Sequence, residues 1–292
     1  MLVQQIMDTI YSLLLLFNLT GINAASGLQY HQDQLYIVSD NSPYLYHYHV
    51  QEERMDKVLL DSLQQTEMVA KKDKKDFEAL CDVGDALVIV GSGSKPQRQE
   101  AFIYDKRNSH VRRVSLDSIY QRMQEIGKVD KQNFNIEGLT YDNGTWYFLN
   151  RGNGEKKQNV IFTVAGDSDF ILRPETLSAN HIELSDIQNY TTGFSDGVIV
   201  DGRLFFIATA EDSASTYHDG ENKGSYISYI NLSDWTLGQT HQLSSTKKLE
   251  GLAVYGQSAD TITFILCEDP DDESNNRCPI YRYDFDLGSA EI

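Results

Sequence analysis

Positive charge is in short supply in this sequence: 25 Lys and Arg stand against 43 Asp and Glu, a formal net charge of -18. A phosphate backbone needs a basic face, so nucleic acid is excluded as the main partner. Long apolar runs are missing as well; nothing approaches the roughly 18 residues that a membrane span requires, and no membrane partner is expected. Cysteine is scarce, and three of them cannot build a disulfide framework. Cys267 and Cys278 flank an acidic loop where hairpin partners would face each other, so they read either as one bridge or as two thiols. Cys81 reads as a small core residue. No linker interrupts the chain, and residues 1–292 are expected to form one domain.

The nearest thing to a targeting segment is Ser12 and the apolar run 13–17 ahead of Ala24-Ala25-Ser26. The residues before it carry Asp8 and no Lys or Arg, and the run is short for a secretion signal. It reads better as a strand buried on both faces. Localisation stays open between the cytoplasm and secretion with any signal already absent. A soluble monomer is expected.

What the chain does contain is a repeat. Phe77-Glu78-Ala79-Leu80 returns as Ile136-Glu137-Gly138-Leu139 and Leu249-Glu250-Gly251-Leu252, and in weaker form as Ala25-Ser26-Gly27-Leu28 and Phe194-Ser195-Asp196-Gly197. The steps between the second positions are roughly 52 to 59 residues, a period that with a β pattern inside marks a radial repeat. Each unit runs strand, turn, strand, loop, strand and a looser fourth strand. Asn143-Gly144 and Asp201-Gly202 are strong hairpin signals between the first two strands of units three and four. The fold class is therefore all-β, a five-bladed propeller of four-stranded blades, with the run 13–17 pairing with blade five to close the ring. One segment has helical period instead: Leu116, Ile119, Tyr120, Met123 and Ile126, with Ser115 as N-cap and Gly127 as stop.

The inner strand of each blade points its first residues at the axis, so Ser26, Glu78, Glu137, Ser195 and Glu250 should form one ring. Three ionised carboxylates that close together would repel, and a cation resolves the conflict. Hard oxygens without His or Cys point to calcium ahead of magnesium, and away from zinc. Basic residues gather in the loops that open on the same face: Lys71, Lys72, Lys74 and Lys75, Lys128 and Lys131, and Lys247 and Lys248 before the marker strands, with Lys95, Arg98, Arg151, Lys156, Lys157 and Lys223 after the second strands. An anionic small molecule is the ligand that such loops suit. Gly91-Ser92-Gly93-Ser94 offers backbone N-H groups to a phosphate, without the helix or Lys of a P-loop.

The ring order Ser, Glu, Glu, Ser, Glu is similar to that of the calcium-activated nucleotidases, the apyrase family of blood-feeding arthropods and vertebrates. Gly193-Phe194-Ser195-Asp196, Glu211-Asp212-Ser213 and Ser225-Tyr226-Ile227 resemble that family's fourth blade, and Phe148-Leu149-Asn150-Arg151 resembles its Phe-Leu-Pro-Arg-Arg stretch. The resemblance implies a five-bladed propeller with a central calcium. Here Arg151 is followed by Gly152, not a second arginine, and Ser39-Asp40-Asn41 stands where the family has Asp-Asp-Arg. The ring is also similar to that of uncharacterised bacterial propellers. Two functional classes follow. In the first, a calcium-dependent hydrolase of a phosphoanhydride or other anionic ester, Arg151 holds the anion and Asp40, Glu211 or Glu268 serves as general base. In the second, the calcium is structural and the loops form a non-catalytic binding surface.

Overall fold

The computed structural model describes residues 12–64, 66–212, 221–270 and 276–288. Most of the long loop in blade four (213–220), half of the acidic loop in blade five (271–275) and the segments 1–11 and 289–292 lie outside the described residues. The first strand, β1 (Leu14–Thr20), belongs to the last blade. Blade one is β2 (Ala25–His31), β3 (Gln34–Ser39), β4 (Tyr44–His49) and β5 (Arg54–Leu59). Blade two is β6 (Phe77–Asp82), β7 (Ala86–Gly91), β8 (Glu100–Asp105) and β9 (His110–Ser115). Blade three is β10 (Ile136–Asp142), β11 (Thr145–Asn150), β12 (Val160–Ala165) and β13 (Ser178–His181). Blade four is β14 (Thr192–Val200), β15 (Arg203–Glu211), β16 (Asn222–Asn231) and β17 (His241–Ser244). Blade five is β18 (Leu249–Gln257), β19 (Thr261–Glu268), β20 (Arg277–Asp286) and, outermost, β1.

Every sheet is antiparallel, and the five inner strands touch in the cyclic order β2, β6, β10, β14, β18 and back to β2. That is a five-bladed propeller. The hairpin turns follow their chemistry: Asn143-Gly144 and Asp201-Gly202 both take positive φ at the two central positions, as the tight turns between twisted strands require. Apolar side chains from the facing sheets fill the wedges between blades. Phe205, Phe264 and Phe285 lock blade four to blade five, and Phe134, Phe148, Phe162 and Trp146 form the centre of the cluster around blade three.

The marker repeat has a specific structural cause. In all five inner strands the ladder slips by one residue at the marker, between Ala25 and Gly27, Phe77 and Ala79, Ile136 and Gly138, Phe194 and Asp196, and Leu249 and Gly251. Ser26, Glu78, Glu137, Ser195 and Glu250 are therefore the extra residues of five equivalent β-bulges, which bend a strand and re-aim one side chain. In four of the five blades the position after the bulge is Gly or Ala, at Gly27, Ala79, Gly138 and Gly251, because neighbouring inner strands nearly touch. A Cβ on Gly251 would lie 2.6 Å from the Leu28 Cβ and 2.7 Å from the Cys267 Sγ. Blade four carries Asp196 there, and its carboxylate accepts the Leu252 N-H of blade five at 2.9 Å and the Gly197 N-H at 2.8 Å.

Three local expectations need correction. The run 13–17 does close blade five, but Leu14 and Leu15 of β1 are 59% and 48% exposed, because an outermost strand has no neighbour beyond it. The helix, α1 (Asp117–Gly127), has Leu116 as its N-cap residue, while Ser115 Oγ accepts the Asp117 N-H at 3.3 Å. Its stop is Lys128 in the left-handed region; Gly127 is the last helical residue, small because a Cβ would lie 2.6 Å from the Phe162 ring. The three thiols are buried and unbridged, with Cys267 held against Cys278. Among the described residues no helix is long and apolar enough to cross a membrane.

Two expected outcomes follow from the packing. Deleting residues 1–20 removes β1 and exposes β20 as an open edge, so the protein should aggregate or lose cooperative unfolding; a soluble truncation with an unchanged melting curve would contradict the closure. Gly251→Ala should destabilise by about 1–3 kcal/mol through overpacking against Leu28, read by chemical denaturation.

Candidate metal centre at the tunnel mouth

The bulges and the ends of the second strands converge at one end of the axial tunnel. The cavity there is small, about 70 Å³. Among the described residues seven carboxylates line it, from Asp40, Asp76, Glu78, Glu137, Glu211, Glu250 and Asp269, against five basic side chains, Lys71, Lys74, Arg98, Arg151 and Lys248. With all of them ionised the lining carries two negative charges. Asn135, Asn153 and Ser26 complete the polar wall.

The lining divides into two halves, each built on a buried cation. In the first, Arg151 lies on the axis side of blade three and is 3% exposed. Its Nη2 reaches Glu211 Oε1 at 2.7 Å, and its Nη1 lies 3.4 Å from Glu250 Oε1 and 3.6 Å from Glu137 Oε2. Lys248 Nζ adds Asp269 at 3.2 Å and Glu250 at 3.3 Å. Burial would depress the Arg151 guanidinium, but the fields of Glu211, Glu137 and Glu250 outweigh it and keep it charged. The guanidinium is thus engaged by three carboxylates of this chain.

In the second half, Lys74 pairs with Asp40 and, at 2.8 Å, with Asp76; Arg98 holds Asp76 at 2.6 Å, and Ser92 Oγ donates to the same carboxylate. Burial alone would depress the Lys74 ammonium, yet the combined fields of Asp40, Asp76 and Glu78 hold it above its ordinary value. Glu78 stands beside this pair. Carboxylate oxygens of Asp40, Asp76 and Glu78 all lie within 4.8 Å of one another. Burial and then the neighbouring charges of Glu137, Asp76 and Asp40 push the Glu78 carboxyl well above the usual carboxylate range. Burial also raises Asp40 to about 6 and Glu137 to about 8, against the opposing pull of Lys74 on the first and of Arg151 on the second. Three oxygens in the lining, Asp40 Oδ1, Asn153 Oδ1 and Glu250 Oε2, are buried without a hydrogen-bond partner, which is costly in a low-dielectric site.

The ring residues do not all face this space. Ser26 lines it and donates to the Ala24 carbonyl at 3.2 Å. Glu78, Glu137 and Glu250 line it. Ser195 Oγ instead donates to Thr209 Oγ1 at 3.1 Å, and Thr209 is in turn bonded to Ser225 and the Leu249 carbonyl, so this hydroxyl joins blade four to blade five. Of the other candidates, Asp40 and Glu211 line the mouth, whereas Glu268 turns away to Lys247 at 3.0 Å and to the Tyr281 hydroxyl. The reason is strand alternation: Asp269, one residue on, faces the mouth, and adjacent residues of a strand point to opposite sides. Asp269 occupies the repeat position of Asp40, Ser92, Arg151 and Thr209, each following the ladder partner of a marker's first residue. Aligning the units at their second strands would have found it. Asp76, Asn135 and Lys248 likewise share a position, two residues before the bulge.

The Gly91-Ser92-Gly93-Ser94 loop does not offer free donors. Its Ser92 N-H goes to the Asp76 carbonyl at 3.0 Å, Gly93 N-H to the Arg98 carbonyl at 3.1 Å, and Ser94 N-H to Ser92 Oγ at 3.3 Å. Nor do the basic loops form one open collar. Lys75 is spent on Glu100 at 2.7 Å, Lys156 on Asp130 at 2.5 Å and Lys223 on Glu221 at 2.7 Å. A second, larger cavity of about 450 Å³ opens beside the Lys74 half. It shares Asp40, Lys71, Lys74, Lys248 and Asp269 with the mouth and adds Arg277, Asn23 and Asn41 over an apolar wall of Met68, Val69, Ala70 and Pro270.

The fold is shared with proteins of different kinds. Glutaminyl cyclase of Myxococcus xanthus superposes with a TM-score of 0.54 at 12% identity, covering 95% of this chain and 100% of that one. The major allergen Mala s 1 of Malassezia sympodialis gives 0.53 at 11%, covering 90% and 93%. A luciferin-regenerating enzyme gives 0.50 at 11%, covering 92% and 94%. At such identities the likeness is one of fold alone. No curated protein matches the sequence. Residues 21–284 do match a family, spanning every blade and both halves of the mouth, and the chain belongs to that family, the family of unknown function DUF6929.

Proposed function

We propose that the protein is a calcium-binding propeller whose ion sits at the tunnel mouth beside Glu78. The observation that carries this reading is the trio Asp40, Asp76 and Glu78, with carboxylate oxygens within 4.8 Å of one another; one oxygen of Asp40, Oδ1, is also buried without a partner. Oxygens bound to calcium at about 2.4 Å can stand at most about 4.8 Å apart, so the spacing suits one ion. Ser26, Glu137 and Glu250 are the remaining ring oxygens within the same lining. The carboxylates of the trio are hard oxygen donors, which suit calcium. Ser195 supports the ring from behind, through Thr209.

A second reading, calcium-dependent hydrolysis of a phosphate-bearing or other anionic small molecule, draws on the 450 Å³ cavity beside the trio. That volume suits a small molecule. Among the described residues its lining has four basic side chains, Lys71, Lys74, Lys248 and Arg277, against two acidic ones, Asp40 and Asp269. Asp40 borders both spaces, and in this reading it is the general base. In this reading the cavity replaces Arg151 as the anion's seat, since Glu137, Glu211 and Glu250 already hold that guanidinium. A bound calcium would act as a Lewis acid and neutralise charge.

Calcium in hundredfold excess over its Kd should stabilise the protein by about 2.7 kcal/mol, and chelation should reverse the rise in melting temperature. Glu78→Gln and Asp76→Asn should each abolish most of the shift, while an identical shift in both would sink the site. The effect should grow with pH. Glu137 is raised to about 8, so its protonated form supports the metal-free fold fully below about pH 4.5, and that support is lost as pH rises through about 8. Calcium takes over its charge there, so the calcium-dependent gain should increase between roughly pH 5 and 8. For the hydrolase reading, phosphate release from nucleotides or pyrophosphate should require calcium and fall at least about 100-fold in Asp40→Asn. Calcium binding with no turnover of any phosphate ester would leave the binding propeller alone.

A further inference from the structure

At the other end of blade one, six strand residues from Asp40 and so roughly 20 Å away along β3, three strands present one continuous polar face. Ladder pairing sets Gln34 opposite His49 and Tyr36 opposite His47, and then His47 opposite Asp56 and His49 opposite Arg54. His47 and His49 are two residues apart on one strand, so both imidazoles project to the same side. Ligating atoms of His47, His49 and Asp56 all lie within 4.8 Å of one another, with His49 Nε2 3.0 Å from Asp56 Oδ2. Ligands on a tetrahedral ion with bonds of about 2.0 Å stand about 3.3 Å apart, so little movement separates this arrangement from a coordinated one.

The surroundings resemble an outer shell. Gln34 Oε1 receives both the Tyr36 hydroxyl at 2.9 Å and His47 Nε2 at 2.8 Å. That contact fixes the His47 tautomer, with Nε2-H donating and the lone pair on Nδ1, in the way ligating imidazoles are held by an acceptor. Tyr36 also stacks on the His47 ring, 4.3 Å between centroids at 18°. Burial lowers the His47 imidazole to about 4, keeping it neutral at neutral pH. Side-chain exposure of 18% for His49 and 48% for Asp56 leaves a path for an ion and an open fourth position for water.

We propose that His47, His49 and Asp56 form a second metal site, for a divalent transition ion of the zinc type, which pins the edge strand β5 to β4. Two nitrogens and one carboxylate suit zinc and its neighbours, and suit calcium poorly. The site is chemically distinct from the hard-oxygen mouth and does not depend on it. Arg54 is its built-in competitor, because its guanidinium shares the same Asp56 oxygen.

The test uses the metal-stripped full chain with excess calcium present. Co²⁺ serves as the visible probe, and Zn²⁺ is titrated against a chromophoric chelator. One equivalent of Co²⁺ should give tetrahedral absorption bands and be displaced by one equivalent of Zn²⁺. His49→Gln should weaken binding at least about tenfold, Gln34→Ala about tenfold as an outer-shell loss, and the double substitution His47→Gln with His49→Gln should abolish it. Arg54→Ala should tighten it, and Glu78→Gln should leave it unchanged. Matching melting curves of the metal-free variants establish that they fold. Absence of stoichiometric binding, or its persistence in the folded double variant, overturns the site.

Discussion

Five strands that share one axis leave almost no room between their backbones, and the rest of the molecule is arranged around that crowding. Where β18 passes β2, even a methyl group on Gly251 would collide with Leu28. Side chains that would otherwise point at a neighbouring strand have to be redirected, and a bulge does this by inserting one residue and rotating it out of the ladder. Because the geometry repeats, so does the bulge, at Ser26, Glu78, Glu137, Ser195 and Glu250. A polar residue at each of them is the result: Ser26, Glu78, Glu137 and Glu250 leave the hydrophobic wedge between blades and enter a narrow, water-sized space, while Ser195 is held by Thr209.

Concentrating carboxylates in that space has a cost that this chain offsets with its own cations. Arg151 answers Glu137, Glu211 and Glu250, and Lys74 with Arg98 answers Asp40 and Asp76. Buried ion pairs of this kind rarely stabilise a fold outright, since desolvation consumes most of the attraction. Removing one partner is far more damaging than never having had the pair. The arrangement therefore reads as one kept for the electrostatic field it makes at the mouth, with compensation that stops two charges short of neutrality when every group is ionised.

The blade count and the bulged positions were legible because they rest on a local signal repeated five times and on unambiguous turns such as Asn143-Gly144, and the closing strand because the one apolar run 13–17 had no other place in a closed ring. The side-chain partners were not. Arg151 reads in the sequence as a free guanidinium after a strand; only the ring brings Glu211 and Glu250 to it across 60 and 99 residues of chain. Asp76 is hidden within a lysine-rich stretch and reads as a solvated turn. Glu268 and Asp269 are adjacent acids, and the choice between them depends on strand phase, which one residue reverses. Ser195 shares the ring position by repeat, yet a neighbouring threonine captures its hydroxyl. The His47, His49 and Asp56 face has no repeat behind it, and it needs the register of β3, β4 and β5 to appear at all.

The pairing of β1 with β20 joins segments separated by most of the chain. The entropy of closing so long a loop grows only slowly with its length, so the cost to stability is modest. The cost in time is larger: a contact this distant in sequence cannot help nucleate folding. Blades one to four can each assemble from consecutive hairpins, while blade five waits for its outermost strand. The ring should consequently close last and open first, which makes the seam between β1 and β20 the place where hydrogen exchange, proteolysis and strand exchange between copies are expected to begin.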